Sequence, residues 1–217
     1  MKVLDLFCGA GGAAMGLHRA WPDAEITGVD IKPMPRYPFK FIQADAMTFP
    51  LEGYDFIWAS PPCQAYSWSA KRWHGKKEYQ DLIVPTRDLL QATNKPYCIE
   101  NVPRAPLINP ITLCGTQFGL KVLRHRLFET SEPIVVLMQP CAHVGQVGKD
   151  YACVVGHGEP AWVRNKEFFT VAGHGGNGRT RMEFWKEAMG IDWMTRDEIT
   201  QAIPPAYSEF IARQFHL

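Results

Sequence analysis

Five short apolar runs in the first half of the chain each lead to a residue that can do chemistry. That coincidence restricts the fold more than any other feature. KVLDLF (2–7) runs into Gly9, EITGVD (25–30) ends on Asp30, FKFIQAD (39–45) ends on Asp45, YDFIWAS (54–60) leads to Cys63, and YCIENV (97–102) holds Glu100. Helical stretches separate several of them: AAMGLHRA after the first run, and about 78–93 between the last two. Short apolar strands alternating with helices predict parallel βαβ units, hence an α/β fold with a mostly parallel sheet and helices on both faces. Ligands of such sheets collect beyond the carboxyl ends of the strands. Gly9, Asp30, Asp45, Cys63 and Glu100 are therefore expected along one rim.

The second half reads differently. Residues 124–137 (RHRLFETSEPIVVL) predict one or two strands, and 138–178 are rich in Gly, His and Cys without clear periodicity. Helical signals then return. Thr195-Arg196-Asp197-Glu198 fits a capping box, in which hydroxyl and carboxylate satisfy free backbone amides. Pro204 and Pro205 begin a last helix through YSEFIARQF. The expected organisation is a core over 1–130, a small insertion over 131–178, and C-terminal helices completing the core over 179–217.

A net charge of +1 over 217 residues gives no global basic field, so a nucleic-acid partner must be held by local patches. No apolar run approaches the roughly 20 residues of a membrane span, and MKVLDLF lacks the features of a signal peptide. The six cysteines are scattered, several inside apolar runs. A reducing, cytoplasmic setting with unbridged thiols is expected, and no membrane partner.

Gly9-Ala10-Gly11-Gly12-Ala13-Ala14 satisfies G-x-G-x-x-[GA] directly after a strand. Glycines allow the tight turn and close approach to a ligand, and the helix N-terminus behind them favours polar or anionic groups. Asp30, about 20 residues on, is placed to accept from ribose hydroxyls. The pair indicates a nucleoside-type cofactor, with NAD and S-adenosylmethionine both served by such a crevice. Asp45 is placed either to accept from an adenine amino group or to cap a helix.

Cys63 follows Pro61-Pro62, so its backbone is restricted and its sulfur is aimed. It lies past a strand end and is followed by polar Gln64 and Ser67. Cys8, Cys98 and Cys114 sit in apolar surroundings and read as small buried hydrophobes. Glu100 ends the adjacent strand, where a dry carboxyl can have a raised pKa and donate a proton near neutrality. A thiolate beside such a carboxyl is the pairing needed to add across an electron-poor double bond.

Four segments together carry a resemblance. Asp5 to Gly12 reads D-L-F-x-G-x-G-G, Pro62 to Ser67 reads P-C-Q-x-[FY]-S, Glu100 to Val102 reads E-N-V, and Arg124 to Arg126 reads R-x-R. In this order they resemble the DNA (cytosine-5) methyltransferases over about 1–130. The resemblance implies an S-adenosylmethionine-dependent methyltransferase (Rossmann-like) fold and methyl transfer to carbon 5 of cytosine. It implies that Cys63 attacks carbon 6, Glu100 assists at ring nitrogen 3, and Arg124 and Arg126 position the base. Phe7, Gly9, Gly11, Asp30, Asp45, Ala46, Pro62 and Leu82 would hold S-adenosylmethionine. Gln64, Ser67, Arg72 and Asn101 would touch the substrate. The family extrudes its target base from duplex DNA. In residues 64–80, Lys71, Arg72, Lys76 and Lys77 suit phosphates and Tyr66, Trp68 and Trp73 suit stacking, so this stretch reads as a loop that closes over nucleic acid.

The chain departs from the family pattern in three places. Only about 40 to 50 residues follow R-x-R where a DNA-reading region belongs, implying a short or relaxed site of the kind that suits a phage or mobile element. Val122 stands where the family has Gln. The family's G-N-S-V segment is missing, and Ala202 to Tyr207 are expected in its place, closing the cofactor pocket. Basic residues Arg164, Lys166, Arg179, Arg181 and Lys186 suit either a DNA backbone or ordinary surface. Cys141-x-His143 and Cys153-x-x-x-His157, with His174 beyond, match no zinc spacing, so no metal ligand is assigned. The leading reading is a monomeric enzyme on double-stranded DNA. Rivals are a transfer RNA cytosine-5 methyltransferase, a catalytically impaired DNA-binding relative and, more distantly, a NAD-dependent oxidoreductase.

Overall fold

The computed structural model describes residues 1–66, 79–135, 137–141 and 182–217. Its centre is a seven-stranded sheet of order β3-β2-β1-β4-β5-β7-β6. The strands are β1 (Lys2–Leu6), β2 (Glu25–Asp30), β3 (Lys40–Gln43), β4 (Phe56–Ala59), β5 (Tyr97–Asn101), β6 (Ile111–Leu113) and β7 (Arg126–Thr130). The first five pair in parallel, whereas β7 runs antiparallel to both β5 and β6. The chain moves outward from β1 to β3, then returns to β4 on the other side of β1. The carboxyl ends of β1 and β4 therefore flank a switch point, where sheets of this kind open a ligand crevice.

The period-2 alternation of the strands sorts their side chains into two cores. Val3, Phe56, Trp58 and Cys98 face one layer, where they meet α1 (Gly12–Ala20) and α5 (Pro205–Ala212). Leu4, Leu6, Ile57, Ala59 and Ile99 face the other, with Leu90 of α2 (Ile83–Ala92). Asp5 breaks the apolar pattern. It accepts a hydrogen bond from the Tyr37 hydroxyl at 3.1 Å, and burial pushes its carboxyl up to about 8. A smaller cluster packs α3 (Met182–Met189) and α4 (Arg196–Gln201) against Ala10 and Val122. The expected capping box is present at α4: Glu198 N–H donates to Thr195 Oγ1 at 3.4 Å and Thr195 N–H donates to Glu198 Oε2 at 2.7 Å.

Two elements escape the sequence pattern. β6 has three residues, too few to display a period, and a 3-10 turn (Gly115–Phe118) follows it. β6 pairs with β7 and so forms through tertiary pairing rather than local preference, while the turn is closed by its own capping contact between Cys114 and Gln117.

The C-terminal segment meets the glycine turn directly. A Cβ on Gly12 would stand 2.6 Å from the Ile203 carbonyl oxygen, and one on Gly16 would stand 2.0 Å from that of Pro205. Ser208 Oγ donates to the Ala13 carbonyl at 2.8 Å, which completes the α1–α5 contact. Tyr207, expected at the cofactor pocket, is instead fully buried among Phe118 and Phe128, with its hydroxyl donating to the Arg124 carbonyl at 2.5 Å. The helix begins at Pro205 and turns this ring inward, where its apolar face is covered and its hydroxyl finds an acceptor.

Gly16→Ala tests this packing. Helix propensity alone favours alanine by about 1 kcal/mol, while overpacking costs about 1–3 kcal/mol or more. Because the obstacle is backbone, the variant should lower the urea midpoint despite its better propensity.

Candidate active site

Cys63 is aimed by its neighbours. The Pro61 carbonyl, two residues before it, accepts a hydrogen bond from Asn101 Nδ2 at 2.9 Å, and Asn101 Oδ1 accepts from Val102 N–H at 2.9 Å. Asn101 is 1% exposed, and both ends of its amide are used within the protein. Expected at the substrate, it pins the cysteine turn beyond β4 to the end of β5. The half-buried Cys63 closes its own turn through Tyr66 N–H, which donates to the Cys63 carbonyl at 3.0 Å.

Glu100 lies one residue earlier on β5 and is 7% exposed. Its Oε1 is 3.1 Å from Arg126 Nε. Ser60 also hydrogen-bonds the carboxyl, and the Ser60 oxygen in turn accepts from Trp58 Nε1 at 3.0 Å. The indole occupies an acceptor site on Ser60, so the hydroxyl proton is left for Glu100. Burial raises the Glu100 pKa; Arg126, Arg124 and the Ser60 hydrogen bond oppose that rise. Burial also raises the Cys63 thiol, with Arg126 pulling it down, Glu100 pushing it up and Arg124 pulling it down. The thiol, the carboxyl and both guanidinium groups thus lie near enough to act on one another's charge.

Arg124 is the more buried arginine, at 5% exposure, and its NH2 donates to the Thr200 carbonyl at 2.9 Å. Burial and then the Arg126 charge disfavour its own. Ser60 and Thr200 are supporting residues that sequence reasoning missed. Neither has a motif of its own, and each acts through hydrogen bonds formed only in the folded chain. Val122 is fully buried in the cluster with Trp185 and Met189, and so presents no side chain to a ligand.

The other half of the rim follows the glycine turn. Phe7 and Gly9 both adopt positive φ, 55° and 48°, as the chain leaves β1. A Cβ on Gly9 would meet nothing within 4 Å, so this turn borders open space, whereas one on Gly11 would strike Pro38 at 2.6 Å. Asp30 ends β2 with Oδ2 accepting from Gly9 N–H at 3.1 Å and Oδ1 from Lys32 N–H at 3.0 Å. Its carboxylate is therefore fixed beside the turn. Asp45 is exposed just past β3 and accepts from Met47 N–H at 2.9 Å, with Ala46 buried behind it. Leu82 is half-buried at the start of α2, Pro62 is half-buried and Gln64 is exposed. Ser67 and Arg72 lie outside the described residues, as do His143, Cys153, His157 and His174. Cys141 lies close to Cys114 and His125. Cys114, read as an inert core thiol, is buried but has polar neighbours.

Residues 1–106 match the family described as C-5 cytosine-specific DNA methylase. Those residues carry a domain of that family. Its methyl donor is S-adenosylmethionine, and the open glycine turn with Asp30 fixed beside it fits a nucleoside group. The fold agrees over nearly the full length with two solved structures. The S. pombe Dnmt2 methyltransferase superposes with a TM-score of 0.59 at 12% identity, covering 98% of this chain and 97% of that one. The Entamoeba histolytica methyltransferase EhMeth gives 0.58 at 12% identity, covering 99% and 98%. A candidate DNA modification methyltransferase encoded within an E. coli prophage aligns at 21% identity with a TM-score of 0.44, over 59% of this chain and 45% of its own. The chain thus spans less than half of that relative. No curated protein matches the sequence. Among the described residues, no helix is long and apolar enough to cross a membrane.

The mutual influence of these groups sets the sign of two shifts. Removing the Glu100 charge (Glu100→Gln) should move the pH midpoint of Cys63 alkylation by iodoacetamide downward. Removing the Arg126 charge (Arg126→Ala) should move it upward. Mass-spectrometric rates of Cys63 labelling across pH check both; a common direction would mean that the charges do not act on this sulfur.

Proposed function

We propose that the chain transfers a methyl group from S-adenosylmethionine to carbon 5 of cytosine in double-stranded DNA, with the target base turned out of the duplex. The observation that carries this reading is the convergence of Cys63, Glu100 and Arg126 beside the glycine turn of a cytosine-5 methylase domain. A stacked base hides carbon 6 from any thiol, and extruding it costs a few kcal/mol.

Cys63 acts as a thiolate. Its sulfur bonds to carbon 6, and the electron pair of the 5,6 double bond is released toward carbon 5. Glu100, in its protonated form, hydrogen-bonds and protonates ring nitrogen 3, so negative charge does not build up on the ring. Arg126 holds the Glu100 carboxyl in place and favours the thiolate. When bound, S-adenosylmethionine supplies the electrophilic methyl group that carbon 5 accepts. Loss of the carbon 5 proton to water then re-forms the double bond as the bond to Cys63 breaks, and the nitrogen 3 proton returns to Glu100, so that thiolate and acid are both regenerated. Phe7, Gly9 and Asp30 would hold the nucleoside part of the donor, with Asp45 and Ala46 at its base. Asn101 keeps the cysteine turn in register with Glu100. Ser67 and Arg72 are proposed to contact the nucleic acid, and the chain is proposed to act as a monomer.

Duplex DNA containing 5-fluorocytosine tests the reading, because fluorine cannot leave as a proton and the covalent adduct persists. With S-adenosylmethionine present, the chain should form a denaturation-resistant adduct, and Cys63→Ala should form none. Trapping on RNA of the same sequence but not on DNA would overturn the DNA assignment. No adduct on either, with donor binding intact, would indicate a binding protein. Glu100→Gln should slow turnover about 10²–10⁴-fold with donor affinity unchanged by calorimetry. Asp30→Ala should weaken donor binding by about tenfold or more before it affects the adduct.

A further inference from the structure

Cys114, His125 and Cys141 take no part in the chemistry above, yet three separate pieces of chain bring them together. Cys114 is buried at the N-terminus of the 3-10 turn after β6. His125 is the middle residue of the arginine pair, just before β7. Cys141 lies eleven positions past Thr130, the last residue of β7. Their ligand atoms all lie within 4.8 Å of one another, and Cys141 Sγ is 3.6 Å from His125 Nε2. His125 also hydrogen-bonds Cys114.

These separations suit a tetrahedral metal. Zinc bonds of about 2.3 Å to sulfur and 2.0–2.1 Å to nitrogen put neighbouring ligand atoms about 3.6–3.8 Å apart. The Cys141–His125 pair is already at that spacing, and the other pairs need to close by about 1 Å at most. The supporting contacts fit too. Cys114 Sγ accepts from Thr116 Oγ1 at 3.5 Å and from the Gln117 backbone N–H, leaving the sulfur an acceptor as a metal thiolate is. Gln117 spans the site: its Oε1 accepts from Cys114 N–H at 2.8 Å and its Nε2 donates to the Gln139 carbonyl at 3.1 Å. One side chain thereby holds the backbones that carry both cysteines. A disulfide between the two sulfurs would leave the imidazole without a role, whereas two sulfurs and a nitrogen form a donor set that selects zinc.

We propose that Cys114, His125 and Cys141 form a zinc site that clamps the chain beyond β7 onto the Arg124–Arg126 segment, with the fourth position taken by water or another donor. The ion would cross-link three stretches that carry little secondary structure. It would hold the backbone of the arginine pair in addition to the hydrogen bonds that Arg124 makes with Thr200 and Tyr207.

The test uses the full chain, purified without chelator and under reductant, with metal measured by inductively coupled plasma mass spectrometry. About one zinc per chain is expected. Cobalt(II) added to the stripped protein should give the thiolate charge-transfer and visible bands of tetrahedral sulfur coordination. Cys141→Ser and His125→Gln should each weaken zinc binding at least about 100-fold, while Cys63→Ser keeps the metal. Cys114 is buried and its replacement risks misfolding, so Cys141→Ser, checked by circular dichroism, carries the test. The proposal is overturned if the stripped wild-type chain takes up neither zinc nor cobalt, if Cys141→Ser retains full zinc affinity, or if the purified chain holds a Cys114–Cys141 disulfide in place of metal.

Discussion

A carboxyl at the end of a strand covered on both faces is tolerable only with a compensating partner, and Glu100 has one in Arg126 at 3.1 Å. That ion pair joins the last parallel strand to the first antiparallel one, β5 to β7. Antiparallel pairing is what makes it possible. It brings the start of β7 beside the end of β5, so a residue just after Arg124 and His125 faces the carboxyl rim. A parallel strand in the same place would have carried its first residues to the opposite edge. The cation opposes the effect of burial on both Glu100 and Cys63, so one guanidinium tunes both groups of the pair.

The rest of the structure keeps that pair in place. Behind it, Arg87 makes a bidentate contact with Glu129, at 2.6 and 2.7 Å, and fastens α2 to β7 inside the protein. Glu129 also accepts from Ile108 N–H at 2.7 Å, which anchors the connection out of β5. From the C-terminal side, Thr200 and Tyr207 bind opposite ends of Arg124, one at its guanidinium and one at its carbonyl. The same C-terminal segment presses on Gly12 and Gly16, behind the glycine turn. Donor-side and base-side elements therefore share one support, although they come from opposite ends of the sequence.

Much of this was legible beforehand. The first five strands follow from short apolar runs, and their placement along one rim follows from the βαβ order. Gly9 and Asp30 were readable as a pair because a glycine turn and a carboxylate at that separation are locally encoded. The Thr195–Glu198 box and the Pro205 start were equally local. Asn101 was read by its motif as a contact for the base, but its amide binds Pro61, a partner 40 residues away. Tyr207 was read as a pocket wall, yet it faces the core. In both cases the direction of the side chain depended on a neighbour with no sequence signature.

The amino-acid order by itself determined which strands form, which residues end them and which motif family they make, because turn geometry, side-chain alternation and capping act over a few residues. Only the folded chain decided that Arg126 would pair with Glu100, that Asn101 would hold the cysteine turn, and that Cys114, His125 and Cys141 would meet. Those contacts join segments through an antiparallel edge and a returning C-terminal helix. Their partners are selected by burial and by the need to satisfy polar groups out of water, conditions that exist only once the layers have closed.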